Sequence, residues 1–332
     1  MPKPPASARS PNPVIDWLLD PVEPTVRYRT LVDLLGRTAT DPEVRQARSE
    51  LRHRGFANRI LGERTPTGDW GGPTGFYRPK YLSTHWRMLV LSDLGLTRED
   101  PEIAELCERW MERAPLTGGG VGGNSKGEGH HCVVGNMARA LIHFGYADDP
   151  RVRKSLEWLV ESADPKGGWS CFGRGRNLDS WEGLAALAAY PRERWSTSVR
   201  ECVDRASEFF LERELHREGA RYEPWYRFHD PVHYYYDVLV GLELMTSLGR
   251  AGDPRLGFAL RLLRSKRRRD GRWNLDAVHP DVEGPLARWY EGHPGQVPTP
   301  FALESARAPS RRVTLRALQV LARVEDARSV SR

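Results

Sequence analysis

The stretch "HCVVGNMARALIHFGYADDPRVRKSLEWLVESADPKGGWSCF", His131 to Phe172, holds two helical segments of different kinds and one turn. In "DPRVRKSLEWLVESA" the apolar set Val152, Leu156, Leu159 and Val160 recurs at helical spacing, with Arg153, Lys154, Glu157 and Glu161 on the other face. No polar face can be drawn on "CVVGNMARALIHF". A helix apolar all round has to be enclosed, whereas one with a single apolar stripe belongs on the outside of a packed layer. The pair therefore predicts an inner helix, a short "DDP" turn with proline near the start of the next helix, and an outer helix. The "GGW" that follows punctuates the pair.

The punctuation recurs along the chain as "GDWGG" at Gly68, "GGGVGG" at Gly118, "GGWSC" at Gly167, "EGARYEPW" at Glu218 and "DGRWNLD" at Asp270, with a period of about 50 residues. A mostly apolar helical segment follows each: "STHWRMLVLSDLG", "HCVVGNMARALIHFG", "LDSWEGLAALAAY", "HYYYDVLVGLELMTSLG" and "VTLRALQVLARV". Upstream of residue 63, "PTVRYRTLVDLLG" and "DPEVRQARSELRHRGFANRILG" read as one more pair, and nothing shows sustained strand alternation. The expected architecture is all-α: five to six helical hairpins with inner and outer layers, forming one domain over residues 14–332 behind a disordered tail of residues 1–13.

Bulk composition narrows the function classes. The 332 residues are 39% hydrophobic, enough for a sizeable core. The 50 Lys and Arg against 44 Asp and Glu give a net charge of +6, interspersed rather than blocked. The basic run "RSKRRRD" from Arg264 closes an amphipathic helix, where cations complement the helix dipole. No nucleic-acid motif accompanies it, so nucleic acid is not an expected partner, and peripheral contact with an anionic membrane stays open. Cys107, Cys132, Cys171 and Cys202 lack any CxxC spacing, which fits a reducing cytoplasm. The start "MPKPPASARSPNP" lacks an apolar h-region, and no stretch approaches the roughly 18 apolar residues of a membrane span.

Alternating inner and outer helices with tryptophan punctuation resemble the α/α toroid of squalene-hopene cyclases and protein prenyltransferase β-subunits, over roughly residues 60 to 325. "GDWGG", "GGWSC" and "DGRWN" look like that superfamily's tryptophan motifs. Its site signatures are not carried over. The DxDD acid motif of the cyclases and the DDxxD diphosphate motif are absent. At the prenyltransferase zinc site Asp179 fits the Asp position, but Trp181 stands at the Cys and Tyr234 near the His, with His233 out of register.

The resemblance implies a substrate held where the N-terminal ends of the inner helices converge. Those points carry Tyr81, Thr84, His85 and Trp86, then His130, His131, Cys132 and Asn136, then Asp179, Trp181 and Glu182, then His233, Tyr234, Tyr235, Tyr236 and Asp237. Aromatic faces beside desolvated carboxylic acids are what carbocation chemistry needs. The expectation is a terpenoid cyclase-like enzyme that protonates an apolar, isoprenoid-type substrate. Asp237 or Asp179 is the proton donor, His85 and His131 are further catalytic candidates, and Trp86, Trp181, Tyr81, Tyr234, Tyr235, Tyr236, Asn136 and Glu182 bind substrate. Asp179 also fits a capping box with Glu182. Asp237 reads as a residue inside its helix with no capping role, and burial there is expected to raise its pKa. Two rivals remain: a toroid that binds lipid or protein without catalysis, and a metal-dependent transferase or lyase. For the latter, zinc would sit on His131, Cys132 and Cys171; otherwise no cofactor is expected. The loops His279–Gly284 and Arg288–Phe301 read as a lid or a disordered insertion.

Overall fold

A computed structural model describes residues 12–71, 76–171, 175, 177–279, 291–292 and 301–330. Residues 1–11 of the expected tail and most of the two expected lid loops, 280–290 and 293–300, lie outside the described residues. The protein is 53% helix and 3% strand, which makes it all-α. The first helix, α1 (Pro13–Leu18), is capped by the Asn12 side chain, so it opens inside the segment expected as tail.

An entry pair follows: α2 (Pro24–Arg29), continued by a π turn (Thr30–Leu34), then α3 (Pro42–Glu50) and α4 (Gly55–Gly62). Buried and amphipathic helices then alternate. The buried ones are α5 (Thr84–Asp93), α7 (His131–His143), α9 (Glu182–Ala189) and α11 (Val238–Ser247), and between them stand α6 (Pro101–Glu112), α8 (Pro150–Glu161), α10 (Thr197–Glu212) and α12 (Gly257–Ser265). The last helix is α13 (Arg311–Val330). Asp41 and Asp149 accept hydrogen bonds from the first turns of α3 and α8, each with proline at the helix start.

The buried helices pack in chain order, α5 on α7, α7 on α9, α9 on α11 and α11 on α13, and α13 returns to α2 and its π turn. Contact is closest between α7 and α9, where a Cβ at Gly135 would stand 2.6 Å from the Glu182 backbone carbonyl. Only glycine admits that approach. No described helix is long and apolar enough to cross a membrane.

Three turns that lead from an outer to an inner helix share one geometry. In each, a glycine with φ of 81°, 85° or 82° (Gly68, Gly167, Gly271) precedes a tryptophan by two residues. The turn is closed by paired backbone bonds, as in Asp164 N to Gly168 O at 2.9 Å and Gly167 N to Asp164 O at 2.8 Å. The indole N–H then donates to a carbonyl ten residues back: Trp70 to Ile60 at 2.9 Å, Trp169 to Leu159 at 2.9 Å and Trp273 to Leu263 at 2.8 Å. Those carbonyls lie in the last turns of α4, α8 and α12, where a helix leaves acceptors unsatisfied. The other two glycine clusters differ. "GGGVGG" forms a hairpin of β1 (Pro115–Leu116) and β2 (Gly120–Val121), tied to α8 through Ser155. After Glu218 the carbonyl of Leu215 is taken by the Tyr236 hydroxyl at 2.9 Å instead of an indole.

Trp169→Ala should destabilise the protein by about 3–5 kcal/mol, since the ring is buried and would leave a cavity. Trp169→Phe should cost about 1 kcal/mol, chiefly for the lost indole bond, since the Leu159 carbonyl keeps only the longer bond from the Ser162 hydroxyl at 3.4 Å. Urea unfolding measures both, and an alanine variant as stable as the parent would contradict this role for the indole.

Candidate functional site

Residues from α2 and its π turn, α5, α7, α9, α11 and α13 surround a cavity of about 470 Å3. One side is apolar, with Trp181, Ala185, Ala188, Leu244 and Leu315. The rest is a wall of ion pairs: Arg29 with Asp33 at 2.7 Å, Arg139 with Asp93 at 3.2 Å and Arg316 with Glu243 at 2.6 Å. Arg312 also lines it and reaches Asp230 at 2.7 Å, while Arg323 finds the Thr246 hydroxyl at 3.5 Å and no carboxylate among the described residues. This wall was not expected from the sequence. Arg312, Arg316, Gln319 and Arg323 recur at helical spacing on one face of α13 and were the available signal.

The expected aromatic residues gather at the N-terminal ends of the inner helices, but mostly against one another. Tyr81 stacks on His233 at 4.8 Å and on His279 at 4.3 Å, and Trp86 meets Tyr81 at 4.9 Å and His85 at 4.9 Å. The hydroxyls of Tyr81 and Tyr235 share a hydrogen bond of 2.5 Å, and Lys80 bonds the Tyr234 hydroxyl. Tyr81 and His233 hold φ of 70° and 49°, a strained choice for non-glycine residues that the surrounding packing imposes. Of the expected substrate-binding residues, Trp181 alone among those described lines the cavity, its Nε1 donating to the Tyr234 carbonyl at 3.1 Å. Tyr236 is used for packing, as its bond to Leu215 shows. Asn136 is buried and lies 3.5 Å from Arg139 Nη2.

None of Asp237, Asp179, His85 and His131 lines this cavity. His85 is buried among rings, its Nδ1 has no partner, and burial pushes its pKa down to about 3, so it is neutral. His131 opens α7, with Nδ1 3.0 Å from the Ser170 carbonyl oxygen and its ring near Trp158.

The two aspartates exchange their expected parts. Asp237 is not inside α11 but is its N-cap: Oδ1 accepts from Val240 N at 2.8 Å, and Oδ2 accepts from the backbone N of His229 at 3.0 Å and lies 2.6 Å from His229 Nδ1. Burial raises its pKa, but the charge and hydrogen bond of His229, Arg316 and the Val240 N–H outweigh burial, and the net shift is downward. A proton donor near neutrality needs the opposite shift. Asp179, expected as a possible cap, caps nothing. The N-cap of α9 is Trp181, without a side-chain bond, and Asp179 accepts from Trp225 Nε1 at 2.8 Å. The surrounding protein pushes its carboxyl up to about 6, although the residue keeps solvent contact, which tempers the shift. Glu182, expected only to bind substrate, is fully buried, and neither carboxyl oxygen has a partner. Burial and the nearby Cys171 drive its pKa well up, so it is held as the neutral acid.

Cys132 is the second residue of α7, and Cys171 follows Trp169 by two residues, its backbone N–H donating to Ser180 Oγ at 2.9 Å. Among the described residues no group of three or more His, Cys, Asp or Glu side chains is placed to hold a metal ion. His229, Trp225 and His279 are the residues of this region that sequence reasoning missed.

No family profile matches the chain. Over 173 residues, 46% of the chain, it is 28% identical to the terpene cyclase-glycosyl transferase fusion protein fsoA of Humicola fuscoatra, and it spans 12% of that protein's length. A distant terpene cyclase-like relationship is what this match supports. A crystal structure of a protein from Actinoplanes aligns with a TM-score of 0.45 and 18% identity, covering 91% of this chain and 89% of that one. At that score the likeness carries no argument.

Asp237→Asn should destabilise by about 3–5 kcal/mol at pH 7, because it breaks a buried pair and leaves His229 without its partner. A depressed carboxyl pKa lends stability that is present above the unfolded value and lost as pH falls through the folded one. The gap between parent and variant in urea unfolding should therefore narrow below about pH 4; a gap unchanged from pH 7 to pH 3 would contradict the pairing.

Proposed function

We propose that this chain is a terpenoid cyclase-like enzyme built as a single α/α toroid, with acid-initiated chemistry in which Glu182 donates the proton and Asp179 restores it. The observation that carries this reading is the Glu182 carboxyl, fully buried with neither oxygen bonded. An unpaired buried carboxyl keeps its proton at neutrality, which is the state a general acid needs. Asp179 lies close enough to raise the Glu182 pKa further, and its own contact with solvent suits it to relay protons inward. Glu182 does not itself line the cavity, but Trp181, its neighbour in the chain, does, and Tyr77, which also senses Glu182, packs at 4.8 Å from Trp86. Aromatic faces in that position stabilise a carbocation once the proton is transferred.

The cavity narrows the substrate. A pure hydrocarbon would leave Arg323 with no carboxylate among the described residues, whereas a molecule with an apolar body and an acidic group would rest one end on Ala185, Ala188 and Leu244 and the other near Arg323. The same wall favours a second reading, a toroid that binds such an amphiphile without transforming it. The protein would be incubated with isoprenoids bearing an acidic group, and both binding and cyclised products followed.

Glu182→Gln should abolish cyclisation while leaving binding and fold intact, since the amide keeps the shape and loses the transferable proton; Asp179→Asn should slow turnover without abolishing it. Binding with no product in the parent would favour the second reading, and full turnover in the Gln variant would remove Glu182 as the acid. Stability offers a separate check. A raised carboxyl pKa lends stability that is complete below the unfolded value and lost as pH rises through the folded one. Relative to the parent, the Gln variant should thus be more stable at pH 8 than at pH 4 in thermal unfolding.

A further inference from the structure

Residues 261–272, "RLLRSKRRRDGR", carry seven Lys and Arg and one Asp, a net charge of +6 that equals the charge of the whole chain. From totals of 50 and 44, the rest of the chain keeps 43 bases and 43 acids. The excess is thus held in one place, the end of α12 and the turn that leads to Trp273. Lys266 meets Asp276 at 2.7 Å and Arg268 meets Asp270 at 3.2 Å. Arg261, Arg264, Arg267, Arg269 and Arg272 meet no carboxylate among the described residues, and the first four are exposed. The turn is tight, with Arg268 N bonded to Arg272 O at 2.9 Å and Gly271 N to Arg268 O at 3.0 Å, so these charges are crowded together. The patch continues onto α1 and α13, because the guanidiniums of Arg272 and Arg311 stand 4.1 Å and 4.7 Å from the centre of the Trp17 ring. Cations in the last turn of α12 offset the helix dipole, but Arg267, Arg268, Arg269 and Arg272 lie beyond that turn. Like charges held together repel, and an opposing anionic surface relieves the repulsion.

We propose that this patch docks the protein on the surface of a bilayer that contains anionic phospholipid, with the start of α13 toward the membrane. Arg311 belongs to the patch and the next residue, Arg312, lines the cavity, so docking sets the lipid surface beside the part of the cavity that Arg312 lines. An amphiphile with an acidic group dwells in such a surface. The choice of lipid over an acidic protein rests on the amphiphilic substrate proposed for the cavity. A nucleic acid fits the patch less well. Single strands are held by bases stacked on aromatic rings, and the Trp17 ring of this patch already carries two guanidiniums. Docking of this kind is electrostatic: each basic residue near an anionic leaflet strengthens it about fivefold, and salt screens the attraction.

The full-length protein would be sedimented with vesicles of phosphatidylcholine alone and of phosphatidylcholine with about 30% phosphatidylserine, at roughly 0.05 M and roughly 0.5 M NaCl. The parent should bind the anionic vesicles at low salt, release them at high salt and leave the neutral vesicles unbound. Replacing the four exposed arginines together, as R261A, R264A, R267A and R269A, should weaken that binding at least about fiftyfold. Removing the same charge from other exposed positions, as R45A, R153A, R200A and R205A, should weaken it less than about fivefold. Equal binding to both kinds of vesicle, no binding at low salt, or an equal loss in the two quadruple variants would overturn the proposal. So would tighter binding to a single-stranded oligonucleotide or to polyglutamate than to the anionic vesicles. Uptake of an amphiphile into the cavity is read separately, in detergent, where the R261A, R264A, R267A and R269A variant should match the parent. Salt-sensitive vesicle binding by a protein whose cavity takes up no amphiphile would remove the substrate reading and leave the docking surface in place.

Discussion

The bond from an indole N–H to the last turn of the preceding outer helix is the constraint on which the arrangement of helices depends. A helix end leaves carbonyls without partners, and burying them bare would cost more than most single contacts return. Trp70, Trp169 and Trp273 each satisfy one such carbonyl while filling the space between an outer and an inner helix. The inner helix is placed from the same point. The Thr84 hydroxyl lies 3.2 Å from Trp70 N and 3.1 Å from Trp70 O, and Thr314 bonds Trp273 in the same manner. At Trp169 the inner helix instead offers Gly183, whose missing side chain admits the ring: a Cβ there would stand 2.8 Å from it. After α10, Trp225 is turned to Asp179 instead, and the Tyr236 hydroxyl, beside Gly241, takes the Leu215 carbonyl just past the helix end.

Placing inner helices this firmly lets the protein bury charge. Arg316 is nearly enclosed, yet it chelates Glu243 and donates to the His229 carbonyl at 2.9 Å, so its charge is matched. Asp237 is equally enclosed, with three donors around it. Glu182 is the exception in the same layer, and its missing partners separate it from a structural carboxylate. The difference between Asp237 and Glu182 lies wholly in their neighbours, since both stand at the start of an apolar helix. Environments that push carboxyl pKa values apart divide such groups into structural anions and acids.

The α7–α9 contact joins these themes. Gly135 brings the α7 backbone against the Glu182 backbone, and the buried Glu182 carboxyl has no hydrogen-bonding partner. The cavity beyond Trp181, walled by arginines from several helices, is separated from the aromatic cluster by that ring and its bond to Tyr234.

What the sequence determined by itself is local: the all-α class, the alternation of apolar and amphipathic helices, and the tryptophan turns. Each follows from periodicity or from turn chemistry, which act over a few residues. The roles of the carboxylates were not legible in it. "DSWEG" around Asp179 resembles a cap but is not one, and "YYYDVLV" around Asp237 resembles a helix interior but is a cap with His229 behind it. The tertiary structure decided these, together with the arginine wall. A pKa or an ion pair depends on which distant segments arrive within a few ångströms, and one helix's sequence carries no record of its neighbours.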